Sequence, residues 1–341
     1  MNEVIRAFLV TERSVGAVYE IDAPQAAGGE VVVTIARAGV CGTDASLFNG
    51  DDARIGRSRL SYPIRLGHEW SGTVTALGDG VDGSWLGRRV TADTFAGCGH
   101  CLRCQAGRHY LCEDRFGIGV RRGWPGALAQ QLPVPAVSLR ALPDTVTDEM
   151  GALVEPGANA YRAVQAAGLT PRSRVLVIGP GSIGLLAALF AVAAGSEVHV
   201  LGVDEASAAF ARGLPVAGAW THGQLPRLSW DAVIDATDSA EMPRFALDVV
   251  APGGRVVLIG VSGPASLVDS RQIVHQELQV FGVLGGSLGL EPTIDAYARG
   301  QVDPRPLIAG VVGLDAVASV LSGAAPRTPG GGTKTLVDPA R

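Results

Sequence analysis

The stretch "RVLVIGPGSIGLLAALFAVAAGSEVHVLG", from Arg174 to Gly202, constrains the fold of this 341-residue chain more than any other. A β-branched run ends at Gly179, and Gly179, Gly181 and Gly184 keep the G-x-G-x-x-G spacing. An apolar helical run over Ser182–Ala194 follows, then a second strand over 197–202. In that order the first glycine permits a tight turn, the second lets backbone approach a pyrophosphate, and the third lets the helix pack on the strand. The phosphate would meet free N–H groups and the positive end of the helix dipole. Gly179, Gly181, Ser182, Ile183 and Gly184 are therefore the expected dinucleotide loop. A glycine turn without a ligand is the bland alternative in a chain with 46 glycines; the ordered strand, glycines, helix and strand favour the ligand. The same region holds 22 uncharged residues, Val175–Ser196, enough to cross a bilayer. "GPG" interrupts them, and a broken backbone facing lipid would leave polar groups unsatisfied. A buried strand followed by a buried helix is expected, with no membrane partner.

Further strands are read at "DAVIDAT", "GRVVLIG" and "LQVFGVLGG", making five that alternate with helical patterns. That alternation predicts an α/β fold with a doubly wound parallel sheet over 151–286. The first 150 residues instead show short β runs, "EVVVTIARAGV", "SGTVTALG" and "RRVTAD", punctuated by Gly and Pro, and "KTLVDP" adds one more strand near the end. An apolar fraction of 47% with 18% charge describes a chain with sizeable buried cores, about two domains at this length. Net charge is −5 with no basic run, so nucleic acid is not an expected partner.

Four of the five cysteines, Cys98, Cys101, Cys104 and Cys112, fall in "CGHCLRCQAGRHYLC". No secretory leader is read at "MNEVIRAFLV", which places the chain in the cytoplasm, where clustered thiols serve metals more often than disulfides. The two-residue gaps suit sulfurs around one tetrahedral ion, and four thiolates make a closed, structural zinc site. His100 and His109 are then surplus and are read as surface residues. Cys41, in "AGVCGTD", needs other partners, and "LGHEWSG" offers His68 and Glu69.

The whole set, "GVCGTD", His68, the four-cysteine loop, "EPGANA" and the glycine fingerprint, resembles the zinc-dependent medium-chain dehydrogenase/reductase family over essentially the full length. The branch of sorbitol, threonine and glucose dehydrogenases is the most similar. The resemblance implies a GroES-like catalytic domain at 1–150, completed by 287–341, and a Rossmann domain at 151–286. It implies that Cys41, His68 and Glu155 hold a catalytic zinc, that Glu69 can bind or swing towards it, and that Asp44 orients His68. With the four-cysteine lobe, two zinc ions per chain are expected.

Under that resemblance the chemistry is hydride transfer between NAD(P) and an alcohol or ketone, the zinc keeping one open position for substrate. Thr43 matches the hydroxyl that accepts the alcohol proton. Where many relatives continue to a histidine, this chain has Ser46, so the proton would leave through serine or water. Thr94 stands where primary-alcohol dehydrogenases often carry an aromatic. With Trp70, it suits a secondary alcohol such as a polyol, sugar or cyclitol, although Trp70 reads equally as core packing. A primary-alcohol enzyme of the same family, a zinc-free reductase on the same scaffold and a non-catalytic zinc-ribbon protein are the alternatives weighed. The cofactor set also includes Asp204 and Lys334, the chain's only lysine. If the second strand stops at Leu201 its tip is Gly202; if it runs two residues further, Asp204 takes the ribose hydroxyls and repels a 2′-phosphate. No cation follows Asp204 and Glu205 closely, so NAD is favoured over NADP. A homodimer or homotetramer is expected.

Overall fold

In a computed structural model that describes residues 3–51, 59–325 and 331–341, the β-branched run at Glu30–Gly39 becomes strand β3, the hub of a seven-stranded sheet. It follows a hairpin of β1 (Val4–Glu12) and β2 (Val15–Asp22). After it come α1 (Gly42–Phe48), β4 (Glu69–Leu77), β5 (Arg89–Ala92), β6 (Phe95–Ala96), α2 (Leu102–Gln105) and β7 (Phe116–Gly117). Strands β8 (Gln131–Pro135) and β9 (Leu139–Ala141) precede the short helix α3 (Asp148–Ala152) and the longer α4 (Val154–Ala167). The sheet runs β16 (Ile308–Val312), β17 (Lys334–Val337), β3, β4, β5 and β9, with β8 also on β3. The core packed with it includes Phe8, Val33, Leu66, Trp70 and Leu132. Burial of such side chains is worth about 1.5–3 kcal/mol each, which makes the sheet a rigid base for the residues at its strand ends. The register sets Glu69 opposite Gly39 and Trp70 opposite Ala38.

The second unit is the predicted doubly wound sheet. β10 (Arg174–Ile178), α5 (Ser182–Ala193), β11 (Glu197–Gly202) and α6 (Glu205–Arg212) lead to β12 (Gly218–Thr221). Then come β13 (Trp230–Asp235), α7 (Met242–Val249), β14 (Val250–Leu258), α8 (Ser270–His275), β15 (Gln279–Gly282) and α9 (Leu290–Ala298). All six strands are parallel, ordered β12-β11-β10-β13-β14-β15. The sequence reading found five; β12, "GAWT", is short and opens on glycine, which hides it. The uncharged run resolves into β10 and α5, whose Gly184–Ala191 are all buried. Among the described residues no helix is long and apolar enough to cross a membrane.

The chain returns to the first unit at Ile308, through β16 (Ile308–Val312), α10 (Val317–Leu321) and β17 (Lys334–Val337). The units are Met1–Glu155, Ile308–Arg327 and Lys334–Arg341 against Pro156–Leu307 and Thr328–Thr333. This corrects the expected boundaries of 150 and 287. The physical reason lies in α9, whose Tyr297 stacks on Phe190 of α5 at 6.2 Å. A Cβ at Gly157 of α4 would collide with the Tyr297 hydroxyl and Thr293. Residues 287–307 therefore belong with the parallel sheet.

Candidate active site

The site grows from the N-terminus of α1. Cys41 is the N-cap, and Asp44, at the third helical position, turns its carboxylate back: the Cys41 amide donates to Oδ2 at 2.9 Å. The same carboxylate accepts the Gly67 amide on Oδ1 at 3.2 Å and faces His68 Nδ1 at 3.3 Å, off the line of an ideal hydrogen bond. One fully buried carboxylate thus ties the cysteine segment to the histidine segment. Gly67 has φ +100, and a Cβ there would lie 2.8 Å from the Leu128 amide nitrogen. Only glycine lets the chain enter His68 this way. Burial alone would raise the pKa of Asp44, yet the His68 charge and the hydrogen bonds it receives hold it below the usual range. Burial alone would lower that of His68, and Asp44 with Cys41 raises it well above the ordinary value.

The ligand atoms of Cys41, His68 and Glu69 all lie within 4.8 Å of one another. A thiol, an imidazole and a carboxylate gathered this closely are donor types suited to one zinc ion. Glu155, expected as a third ligand, is not in that set; it sits in the first turn of α4. Thr43 and Ser46 both lie on α1, three residues apart and hence on one helix face. Thr94 is buried behind the histidine, its hydroxyl 3.4 Å from the His68 carbonyl. Trp70 is 1% exposed and belongs to the core.

Lys334, expected in the cofactor set, is paired with Glu69. Its ammonium donates to both Glu69 oxygens and to the Val40 carbonyl, and it is buried. Nothing in the sequence announces this pair; the lysine's being the only one in the chain was the sole hint.

The glycine loop has the expected shape. Gly179 has φ +91, a Cβ at Gly184 would collide with the Gly179 carbonyl oxygen, and one at Gly181 would meet nothing. Ser182, Ile183 and Gly184 form the first turn of α5, and the Ser182 hydroxyl pairs with that of Thr333 at 3.1 Å. β11 ends at Gly202, and Asp204 caps α6, its Oδ1 accepting the Ser207 amide at 2.8 Å. Arg212, the first cation downstream, is paired with Glu205 at 2.7 Å.

Cys98, Cys101, Cys104 and Cys112 bring four sulfurs within 4.8 Å of one another, a donor set suited to one zinc. Hydrogen bonds, first from the Cys98 amide, hold the Cys112 thiol down to about 6, and desolvation pushes Cys104 up to about 12. His100 is exposed as expected, but His109 is engaged with the buried carboxylate of Asp93, Nε2 to Oδ2 at 2.7 Å.

Residues 27–144 match the alcohol dehydrogenase GroES-like domain, and residues 182–299 match the zinc-binding dehydrogenase domain. An L-threonine 3-dehydrogenase of Idiomarina loihiensis is 31% identical over 278 residues, 78% of this chain and 80% of that one. The fold superposes with TM-score 0.90 on a short chain alcohol dehydrogenase of Escherichia coli CFT073 complexed with NADH, 25% identical, covering 99% of this chain and 100% of that one. It does so equally, at TM-score 0.90, on a Sinorhizobium meliloti 1021 protein bound to NADP, 27% identical with coverage of 99% and 100%.

Proposed function

This chain belongs to the zinc-dependent medium-chain dehydrogenase/reductase family, and from that premise we propose that it transfers a hydride between NAD and a secondary alcohol or ketone. The observation that carries the reading is the convergence of Cys41, His68 and Glu69 within 4.8 Å, backed by Asp44. Zinc bound there supplies a Lewis acid that acidifies an alcohol or polarises a ketone, and a bound nicotinamide dinucleotide supplies the hydride acceptor or donor. The chain's own residues do the rest. Asp44 fixes the ring of His68. Thr43 takes the alcohol proton and Ser46, on the same face of α1, passes it to water. Gly179, Gly181 and the first turn of α5 cradle the pyrophosphate.

Buried Thr94, in place of an aromatic, favours a polar, hydroxylated substrate: a polyol, sugar or cyclitol. The Idiomarina relative acts on L-threonine, itself a secondary alcohol, so that amino acid belongs in the same trial. Two zinc ions per chain, one closed by four thiolates and one open to substrate, complete the reading. NAD is favoured over NADP on the strength of Asp204, and Arg212, the first cation downstream in sequence, is paired with Glu205. The five free cysteines suit a reducing compartment, the cytoplasm, and assembly as a homodimer or homotetramer is part of the proposal. Purified enzyme, assayed by nicotinamide absorbance against polyols, cyclitols, L-threonine and primary alcohols, tests it. A primary alcohol giving the highest kcat/KM would replace the secondary-alcohol reading.

A further inference from the structure

Asp93 is 3% exposed. Its Oδ2 lies 2.7 Å from His109 Nε2, its Oδ1 accepts the Phe95 amide at 3.0 Å, and its own amide donates to the Ser138 carbonyl at 2.9 Å. Thr94, the next residue, reaches the other way. Its hydroxyl donates to the His68 carbonyl at 3.4 Å, and its carbonyl accepts the Ile118 amide at 2.9 Å. A segment of three residues is therefore fastened to His68 on one side and to the cysteine loop on the other. His109 comes from the stretch between Cys104 and Cys112. The fit there is close: a Cβ at Gly97 would sit 2.5 Å from Cys104 Sγ and 3.0 Å from the Cβ of His109.

A buried carboxylate is costly to desolvate and is held by compensating partners. The cysteine loop supplies one such partner, His109. We infer that Asp93 and His109 are positioning residues that latch the four-cysteine lobe to the wall behind His68, so that order in the lobe sets the geometry of the Cys41, His68 and Glu69 site. The inference rests on reading those three residues as a metal site. It gives the closed zinc a task beyond holding its own loop.

The experiment compares wild type with His109→Leu, His109→Gln and Thr94→Val, each loaded with zinc. Two readouts are taken: the rate at which a chelator strips the ion from the Cys41 site, and kcat and KM separately for the alcohol. Outer groups that orient metal ligands typically govern affinity by 10–100-fold, so His109→Leu should release that ion about tenfold faster. It should raise alcohol KM more than it lowers kcat and keep the four-cysteine ion. His109→Gln, which retains an N–H for Asp93, should restore most of both. The effects of Thr94→Val and His109→Leu should be less than additive, as for residues acting through one chain of contacts. If His109→Leu does not fold, His109→Phe carries the same expectation, since its ring fills the space and offers Asp93 no N–H. Unchanged stripping and KM with two ions bound in wild type would overturn the latch alone, as would loss of only the four-cysteine ion. A wild type holding a single ion, insensitive to Cys41→Ser, would overturn the metal site beneath it.

Discussion

The Lys334 ammonium lies 2.8 Å from Oε1 and 2.6 Å from Oε2 of Glu69, a pair 265 residues apart in sequence and almost wholly shut off from solvent. Gly39 makes room for it: any Cβ there would collide with Glu69 Oε2. The last strand is thereby clamped to the residue beside His68. Burial alone would lower the lysine's pKa, but the charges of Glu69 and Cys41, with Asp44 beyond, raise it above the ordinary value.

Removing one member of such a pair strands a buried charge, so Lys334→Met should cost about 3–5 kcal/mol in denaturant unfolding. Because the folded pKa is raised, the pair's contribution is complete below the unfolded lysine value of ~10.4 and is lost as pH climbs through the folded value. Wild type should therefore lose stability on that alkaline limb, and the Lys334→Met variant should not share that loss. Equal slopes for both proteins would remove Lys334 from the account.

Thr43→Val should retain metal and cofactor binding and lower turnover by roughly 10²-fold or more, as for loss of a proton-relay group. Ser46→Ala should depress turnover mainly at low pH, where the departing proton most needs an acceptor. An unchanged pH–rate profile for Ser46→Ala would hand the exit route to water.

The parts legible in the sequence are those whose chemistry is local. Four thiols within fifteen residues, a strand running into Gly179, Gly181 and Gly184, and Cys41 two residues before Thr43 carry their meaning in spacing alone. Lys334 with Glu69 and His109 with Asp93 were illegible, because each depends on strands or loops brought together only by the folded sheet. The turn of residues 287–307 into the second unit was missed for the same reason, since it is decided by Tyr297 meeting Phe190. Asp204 shows a third case. Its cap to Ser207 was unforeseen, and it fixes where the carboxylate sits.

That cap leaves Asp204 at the β11–α6 turn, held by one oxygen. Asp204→Ala should lower kcat/KM for NAD and narrow its advantage over NADP, since the carboxylate both binds ribose hydroxyls and repels a 2′-phosphate. A wild type that prefers NADP, or a variant whose preference does not move, would remove Asp204 as the selector.

The central claim is that this chain holds a closed zinc and a catalytic zinc, and elemental analysis reaches it most directly. Wild type should contain about two zinc ions per chain, and the Cys41→Ser, His68→Ala double variant about one, with its fold retained and no alcohol oxidation. One ion in wild type, or two still bound in the double variant, would contradict the account.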